Sequence, residues 1–143
     1  MNIKIKNLSS GISNVIINEP KTYNSLSFQN LTDLIKVFKK LDRDKKTKVI
    51  IIEGSGRGFS AGHNLKEVKN LKVRNKYQKL FNLCSKLMLQ IVEGRKPVIA
   101  KVHGSAYAAG CQLVASCDLA YSTQDAYFAT PGVNIGLFCS TPM

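Results

Sequence analysis

Three short apolar runs limit what this chain can fold into: Val49-Ile50-Ile51-Ile52, Val98-Ile99-Ala100-Lys101-Val102 and, after Asp118, Leu119-Ala120-Tyr121. Each is strand-length and rich in residues that favour a pleated, packed surface, so each reads as a strand buried on both faces. Between them lie segments of a different period. Residues 28–41 place Phe28, Leu31, Leu34, Ile35, Phe38 and Leu41 on one helical face. Residues 76–93 do the same with Tyr77, Leu80, Phe81, Cys84, Leu87, Met88, Ile91 and Val92. Strands alternating with amphipathic helices define the α/β class.

The remaining elements follow from punctuation. Strands are expected over 3–6 and 12–18, joined by a turn at Ser9-Ser10-Gly11 and ended by Glu19-Pro20. Ser27 is suited to cap the first long helix, with Leu26 and Leu31 as its hydrophobic staple. A short helix is expected near 64–70, another over 110–117, and a last strand at Tyr127-Phe128-Ala129. There is no repeat, linker or low-complexity tract, and 143 residues with 44% apolar content suit one packed domain.

No apolar run approaches the ~20 residues of a membrane span. Residues 1–15 have neither a signal peptide's apolar core nor a transit peptide's Arg-rich face, so a cytoplasmic location is expected, with a mitochondrial one as the alternative. The formal charge is +12, with +13 in residues 1–96 and −1 in residues 97–143, and the positive clusters are Lys36–Lys48 and Lys66–Lys79. These clusters are nearly all lysine on polar helix faces and lack the interleaved aromatics that reach bases. They read as solvated surface, and nucleic acid is not expected as a partner. Cys84, Cys111, Cys117 and Cys139 lack metal-ligand spacing and sit among apolar or small neighbours, which suggests buried thiols and no metal site.

Two strand–loop–helix junctions carry the functional signal. One is Ile52-Glu53-Gly54-Ser55-Gly56-Arg57-Gly58-Phe59-Ser60-Ala61-Gly62-His63; the other is Val102-His103-Gly104-Ser105-Ala106-Tyr107-Ala108-Ala109-Gly110. Small residues at such junctions leave backbone N–H groups free and let a ligand approach them. Two adjacent loops of this kind can aim two donors at one oxygen and stabilise an oxyanion. Gly58-Phe59-Ser60-Ala61-Gly62 also matches the G-x-S-x-G nucleophile elbow. An elbow requires the strand to run straight into the serine, and no histidine follows Asp118 or Asp125 to complete a triad. No Gly-Lys-Ser/Thr is present for a P-loop, and no acid follows the glycines at dinucleotide-fold spacing.

Phe59-Ser60-Ala61-Gly62-His63-Asn64-Leu65-Lys66-Glu67, Lys96-Pro97-Val98-Ile99-Ala100, and Gly110-Cys111-Gln112-Leu113 through Cys117-Asp118 resemble the crotonase (enoyl-CoA hydratase/isomerase) superfamily. Residues 129–142 resemble one branch within it. The likeness covers the whole chain, in register, and implies an N-terminal part of a longer acyl-CoA-binding domain with a ββα-spiral core. The apolar segment Leu137-Phe138-Cys139 near the end also suggests a chain truncated before the C-terminal helices.

By the same resemblance, the His63 and Ala109 N–H groups hold the thioester carbonyl. Tyr23, Asn24, Leu26, Ala61, Gly62, Asn64, Leu65, Lys66 and Gly110 match positions around the coenzyme A site, and Lys66 is placed to approach a phosphate. The implied activity is an enoyl-CoA hydratase or isomerase of fatty-acid metabolism that takes a coenzyme A thioester as substrate and needs no separate cofactor. The full-length family domain is expected to form trimers or hexamers. The chain departs from the family where its hydratases carry two glutamates: Gln112 and Gly132 stand there. Neither can act as a general acid or base, although Gln112 can orient water or substrate. An acyl-CoA decarboxylase and a non-catalytic acyl-CoA binder are therefore alternatives. Among the other polar residues, Asp118 is expected to cap or pair locally, and His103 to be a hydrogen-bonded core residue.

Overall fold

The computed structural model describes residues 2–136; the expectations for Cys139 and the Leu137–Cys139 segment lie outside them. Seven strands and four α-helices are present in this span: β1 (Ile3–Asn7), β2 (Ile12–Ile17), α1 (Phe28–Arg43), β3 (Val49–Gly54), α2 (Leu65–Lys69), α3 (Arg74–Val92), β4 (Val98–Val102), β5 (Ser105–Tyr107), α4 (Ala109–Ala115), β6 (Leu119–Ser122) and β7 (Tyr127–Ala129). The first layer is a five-stranded sheet ordered β1-β2-β3-β4-β6, parallel throughout except for the antiparallel β1–β2 hairpin.

A second layer runs beside it. Leu26 forms a parallel bridge with His63, Ser60 with Ala106, and β5 pairs with β7. The chain therefore passes from a first-layer strand to a second-layer segment and, in the first three passes, on to a helix. β2, residues 24–26 and α1 make the first turn; β3, residues 60–63 and α2–α3 the second. β4, β5 and α4 make the third, and β6 with β7 opens a fourth. This is the ββα spiral.

Strand alternation sets the core. Val15, Ile17, Ile50, Ile52, Val98, Ala100 and Val102 point inward and are buried with Leu31, Leu34 and Phe38 of α1, Leu80, Leu87 and Ile91 of α3, and Leu26, Phe59, Ala106 and Leu113 from the second layer and α4. The opposite face carries a row across the strands, Lys4-Ile16-Glu53-Lys101-Tyr121. In it Lys101 and Glu53 form an ion pair at 2.8 Å.

That second face corrects the expectation of strands buried on both sides. Val49, Ile51 and Ile99 are half-buried because they share their face with these charges. β6 departs furthest: as the edge strand it is exposed at all four residues, and β7 is exposed at all three.

The helices start where capping chemistry places them. Ser27 Oγ accepts from the Asn30 N–H at 3.2 Å, and Leu26 and Leu31 are both fully buried, consistent with the expected staple. In α3, Leu80, Cys84, Leu87, Met88 and Ile91 face inward as expected, whereas Phe81 and Val92 are exposed. Each lies one position, about 100°, past a core residue, so the apolar arc is wider than the contact. The lysines from Lys36 to Lys48 and from Lys66 to Lys79 are exposed, as a solvated surface requires.

Candidate functional site

The site is built where three turns of the spiral meet. Asn24 anchors it. It sits in the left-handed region at φ 54°, and its side chain is fully buried. Its Nδ2 donates to the carbonyls of Ser55 (2.7 Å) and Gly58 (2.8 Å), and its Oδ1 accepts the Glu19 N–H at 2.9 Å. The glycine-rich loop after β3 is thus tied to the turn before α1.

Ser60, also fully buried, donates its hydroxyl to the Asn24 carbonyl at 2.9 Å and accepts from the Gly62 N–H at 3.2 Å. With no accessible surface and a committed hydroxyl, it cannot serve as an elbow nucleophile. Its backbone pairs with the third turn, receiving the Tyr107 N–H at 2.9 Å and donating to the Ser105 carbonyl at 3.1 Å.

The segment 104–109, expected as a loop, thus contains β5, paired on one side with Ser60 and on the other with β7. Gly62 explains why a glycine is needed: at φ 81° a side chain is strained, and a Cβ there would lie 2.8 Å from the Tyr107 carbonyl oxygen and 3.0 Å from the Ala109 nitrogen. The His63 and Ala109 segments therefore lie against each other.

Ala109 opens α4, where no helical acceptor is available to its N–H. Among the described residues no hydrogen bond engages the Ala109 or His63 N–H. Ala108, just before, holds φ 48° and ψ −121°, a conformation that strains any residue with a Cβ. Its own N–H donates to the Ala129 carbonyl at 2.8 Å.

His63 turns its ring inward. Its Nδ1 lies 3.3 Å from the Leu26 carbonyl, to which it donates in the neutral tautomer with the proton on Nδ1, and the ring meets Phe81 edge-on at 5.2 Å. Burial pushes the His63 pKa below the usual range, opposed by that hydrogen bond.

The other expected site residues divide by exposure. Tyr23, Leu65 and Lys66 are exposed; Ala61 and Asn64 are half-buried; Asn24, Leu26 and Gly110 are buried. Asn24, Leu26 and Gly110 thus shape the site through the segments they hold. Asn64 caps α2, its Oδ1 accepting the N–H groups of Lys66 and Glu67. Gln112 is half-buried, and among the described residues its amide has no hydrogen-bond partner.

Asp118 accepts the Val98 N–H at 2.7 Å, the local pairing expected of it. His103 departs from expectation. It is hydrogen-bonded to the Gly56 carbonyl at 2.8 Å, but half-buried at the strand end rather than in the core. Cys84 and Cys117 are thiols pushed by burial up to about 11 and about 12; Cys117, like Cys111, is half-buried rather than enclosed.

No group of three or more metal-ligating side chains occurs among the described residues. Nor do they include a helix long and apolar enough to cross a membrane. Two clefts lie nearby: one of about 440 Å³, lined by Lys4 and Lys101 and by Glu53, Gly54, Ser55, Val102 and His103 at the start of both junctions, and one of about 600 Å³ between α1 and α3. Neither contains the two unengaged N–H groups.

A spiral of this topology with paired donor loops defines a class, and the comparisons agree: a sequence model described as enoyl-CoA hydratase/isomerase matches residues 7–142. The chain belongs to the enoyl-CoA hydratase/isomerase family, the crotonase superfamily. Among individual proteins it is similar to the mitochondrial enoyl-CoA hydratase domain-containing protein 3 of Homo sapiens. The two are 48% identical over 132 residues, which is 92% of this chain and 44% of that protein. The Xenopus laevis counterpart is also 48% identical, over 92% of this chain and 45% of its own.

The crystal structure of the human protein superposes with a TM-score of 0.93 at 45% identity, covering 99% of this chain and 56% of that one. An enoyl-CoA hydratase from Mycobacterium smegmatis gives 0.96 at 44% identity, covering 99% and 55%. The branch suggested by residues 129–142 is thus that of domain-containing protein 3. The chain spans about half the length of the relatives it matches.

Proposed function

We propose that the chain binds the acyl thioester of a coenzyme A substrate, with the His63 and Ala109 N–H groups forming a two-donor oxyanion hole in an enoyl-CoA hydratase/isomerase-type protein of fatty-acid metabolism. The observation that carries this reading is that two N–H groups with no hydrogen-bond partner among the described residues lie on neighbouring turns, at segments packed together where Gly62 meets Ala109. Fixed donors of this kind stabilise the negative charge that develops on the carbonyl oxygen as an enolate forms.

Around them, Tyr23, Ala61, Asn64, Leu65 and Lys66 offer the surface for the coenzyme A portion, and Lys66 supplies a cation to its phosphates. The thioester is the substrate, and no separate cofactor is invoked. The relatives' names support the hydratase/isomerase class and the mitochondrial alternative for location. Trimers or hexamers are the assembly expected of a complete domain.

A second reading, a non-catalytic acyl-CoA binder, is favoured by Gln112 and Gly132. Neither supplies the proton exchange of a glutamate pair.

Thermal unfolding with and without acetyl-CoA tests the binding. A ligand at about 100 times its dissociation constant contributes about 2.7 kcal/mol, an upward shift of several degrees. An unchanged cooperative melt at millimolar acetyl-CoA would reject thioester binding. Turnover of crotonyl-CoA or of a malonyl-type thioester separates an enzyme from a binder.

A further inference from the structure

We infer that Ser60 is the positioning residue of this site: its hydroxyl and backbone together set the aim of the His63 and Ala109 N–H groups, an inference that rests on the thioester-binding reading above. Ser60 is where the three turns are joined. The hydroxyl links the first turn to the second by donating to the Asn24 carbonyl while accepting from the Gly62 N–H, one residue before the His63 donor. Its backbone links the second turn to the third through Ser105 and Tyr107. Gly110, one residue after the Ala109 donor, packs directly on it: a Cβ at Gly110 would lie 2.8 Å from the Ser60 Cβ. Both donors are thus one residue from a direct contact with Ser60.

The anchor at the far end is rigid. The Asn24 carbonyl that receives the hydroxyl belongs to a residue whose own side chain is hydrogen-bonded to Ser55, Gly58 and Glu19. An alanine at position 60 leaves the Gly62 N–H and the Asn24 carbonyl without these partners in a buried place. The Ala61–Gly62 segment then loses its side-chain tie to the first turn and can tilt about the backbone bonds that still join Ser60 to β5. Ser60 itself never touches the ligand, since it has no accessible surface.

A positioning role and a merely structural one differ in what they do to two ligands. Acetyl-CoA offers the thioester carbonyl to the donors; coenzyme A does not. Ser60→Ala is expected to weaken acetyl-CoA by about tenfold, the worth of one good hydrogen bond, while leaving coenzyme A within about twofold. Ser60→Cys, nearly isosteric with a weaker donor and acceptor, is expected to fall between wild type and alanine, and it carries the test where the alanine variant does not fold.

Infrared spectra of bound [1-¹³C]acetyl-CoA give an independent readout. The carbonyl stretch, lowered by the donors in the wild type, moves back toward its value in water in both variants. Equal weakening of both ligands, or an unmoved stretch, overturns the role of Ser60 and leaves thioester binding intact. A wild-type chain that binds acetyl-CoA no better than coenzyme A rejects the two-donor reading itself, and the positioning role with it.

Discussion

His63 ties a ring as well as a backbone N–H to the site, and the ring makes the fold sensitive to pH. Burial holds its folded-state pKa below the ordinary value of 6.5, with the Leu26 hydrogen bond partly opposing the shift. An unfolded histidine therefore takes up a proton at higher pH than the folded one. The stability it contributes is fully present above about 6.5 and is lost as the pH falls toward the folded pKa. The melting temperature should decline on acidification from pH 7 to 5.5, and decline less in His63→Gln; parallel declines would assign the effect to other groups. Ala108 makes the opposite kind of prediction. Its backbone, at φ 48° and ψ −121°, is one that glycine adopts without penalty. Ala108→Gly should raise stability by about 1 kcal/mol, the strain relieved less glycine's entropy cost, and a lower midpoint in urea would show that the strain is absent.

At the scale of elements, the end of α1 is fastened by two neighbouring residues in unequal ways. Lys96 Nζ, half-buried, donates to the Leu41 carbonyl at 2.6 Å and to the Asp44 carbonyl, satisfying groups that a helix C-terminus leaves open. Arg95 pairs with Asp42 at 3.0 Å, but its side chain is 71% exposed. Lys96→Met should therefore cost about 1–2 kcal/mol and Arg95→Ala under about 1 kcal/mol, read from urea unfolding at constant m-value; the reverse order would contradict this account. The helices themselves were legible, because Ser27 and the 3.6-residue spacing act locally. β5 was not, because three small residues acquire strand geometry only from Ser60 on one side and β7 on the other. Likewise no local pattern says that Ile51 shares its face with Glu53 and Lys101. The donor loops were legible from their glycines, and the resemblance named their N–H groups. The Asn24–Ser60 fastening was not, since spacing does not reveal which buried hydroxyl meets which carbonyl.

At the scale of the whole molecule, six of the exposed large apolar side chains fall on β6, on β7 and in the turn after it. Leu119, Tyr121, Tyr127, Phe128, Val133 and Ile135 are between 47% and 71% exposed, on an edge strand and its neighbours. A patch of this kind beside an open strand edge promotes association. The 143-residue chain should sediment as a concentration-dependent mixture of species, and Leu119→Lys with Tyr127→Lys should shift it toward monomer; a monodisperse wild-type monomer would contradict the expectation.

The spiral has a further consequence for how a protein of this design can vary. The segments that lead to His63 and Ala109 are neighbours in the second layer, joined at Ser60 and Ala106, so the distance between these segments is inherited from the ~4.8 Å repeat between hydrogen-bonded strands. A single side-chain replacement cannot stretch or shrink that repeat; inserting or deleting a rung would change it in one discontinuous step. Positions 112 and 132 lie outside these paired segments, one turn into α4 and in the 3-10 turn after β7, so a replacement there leaves the repeat unchanged. In the thioester-binding reading proposed above, the pair of donors is a fixed gauge, and chemistry can be exchanged around it one residue at a time.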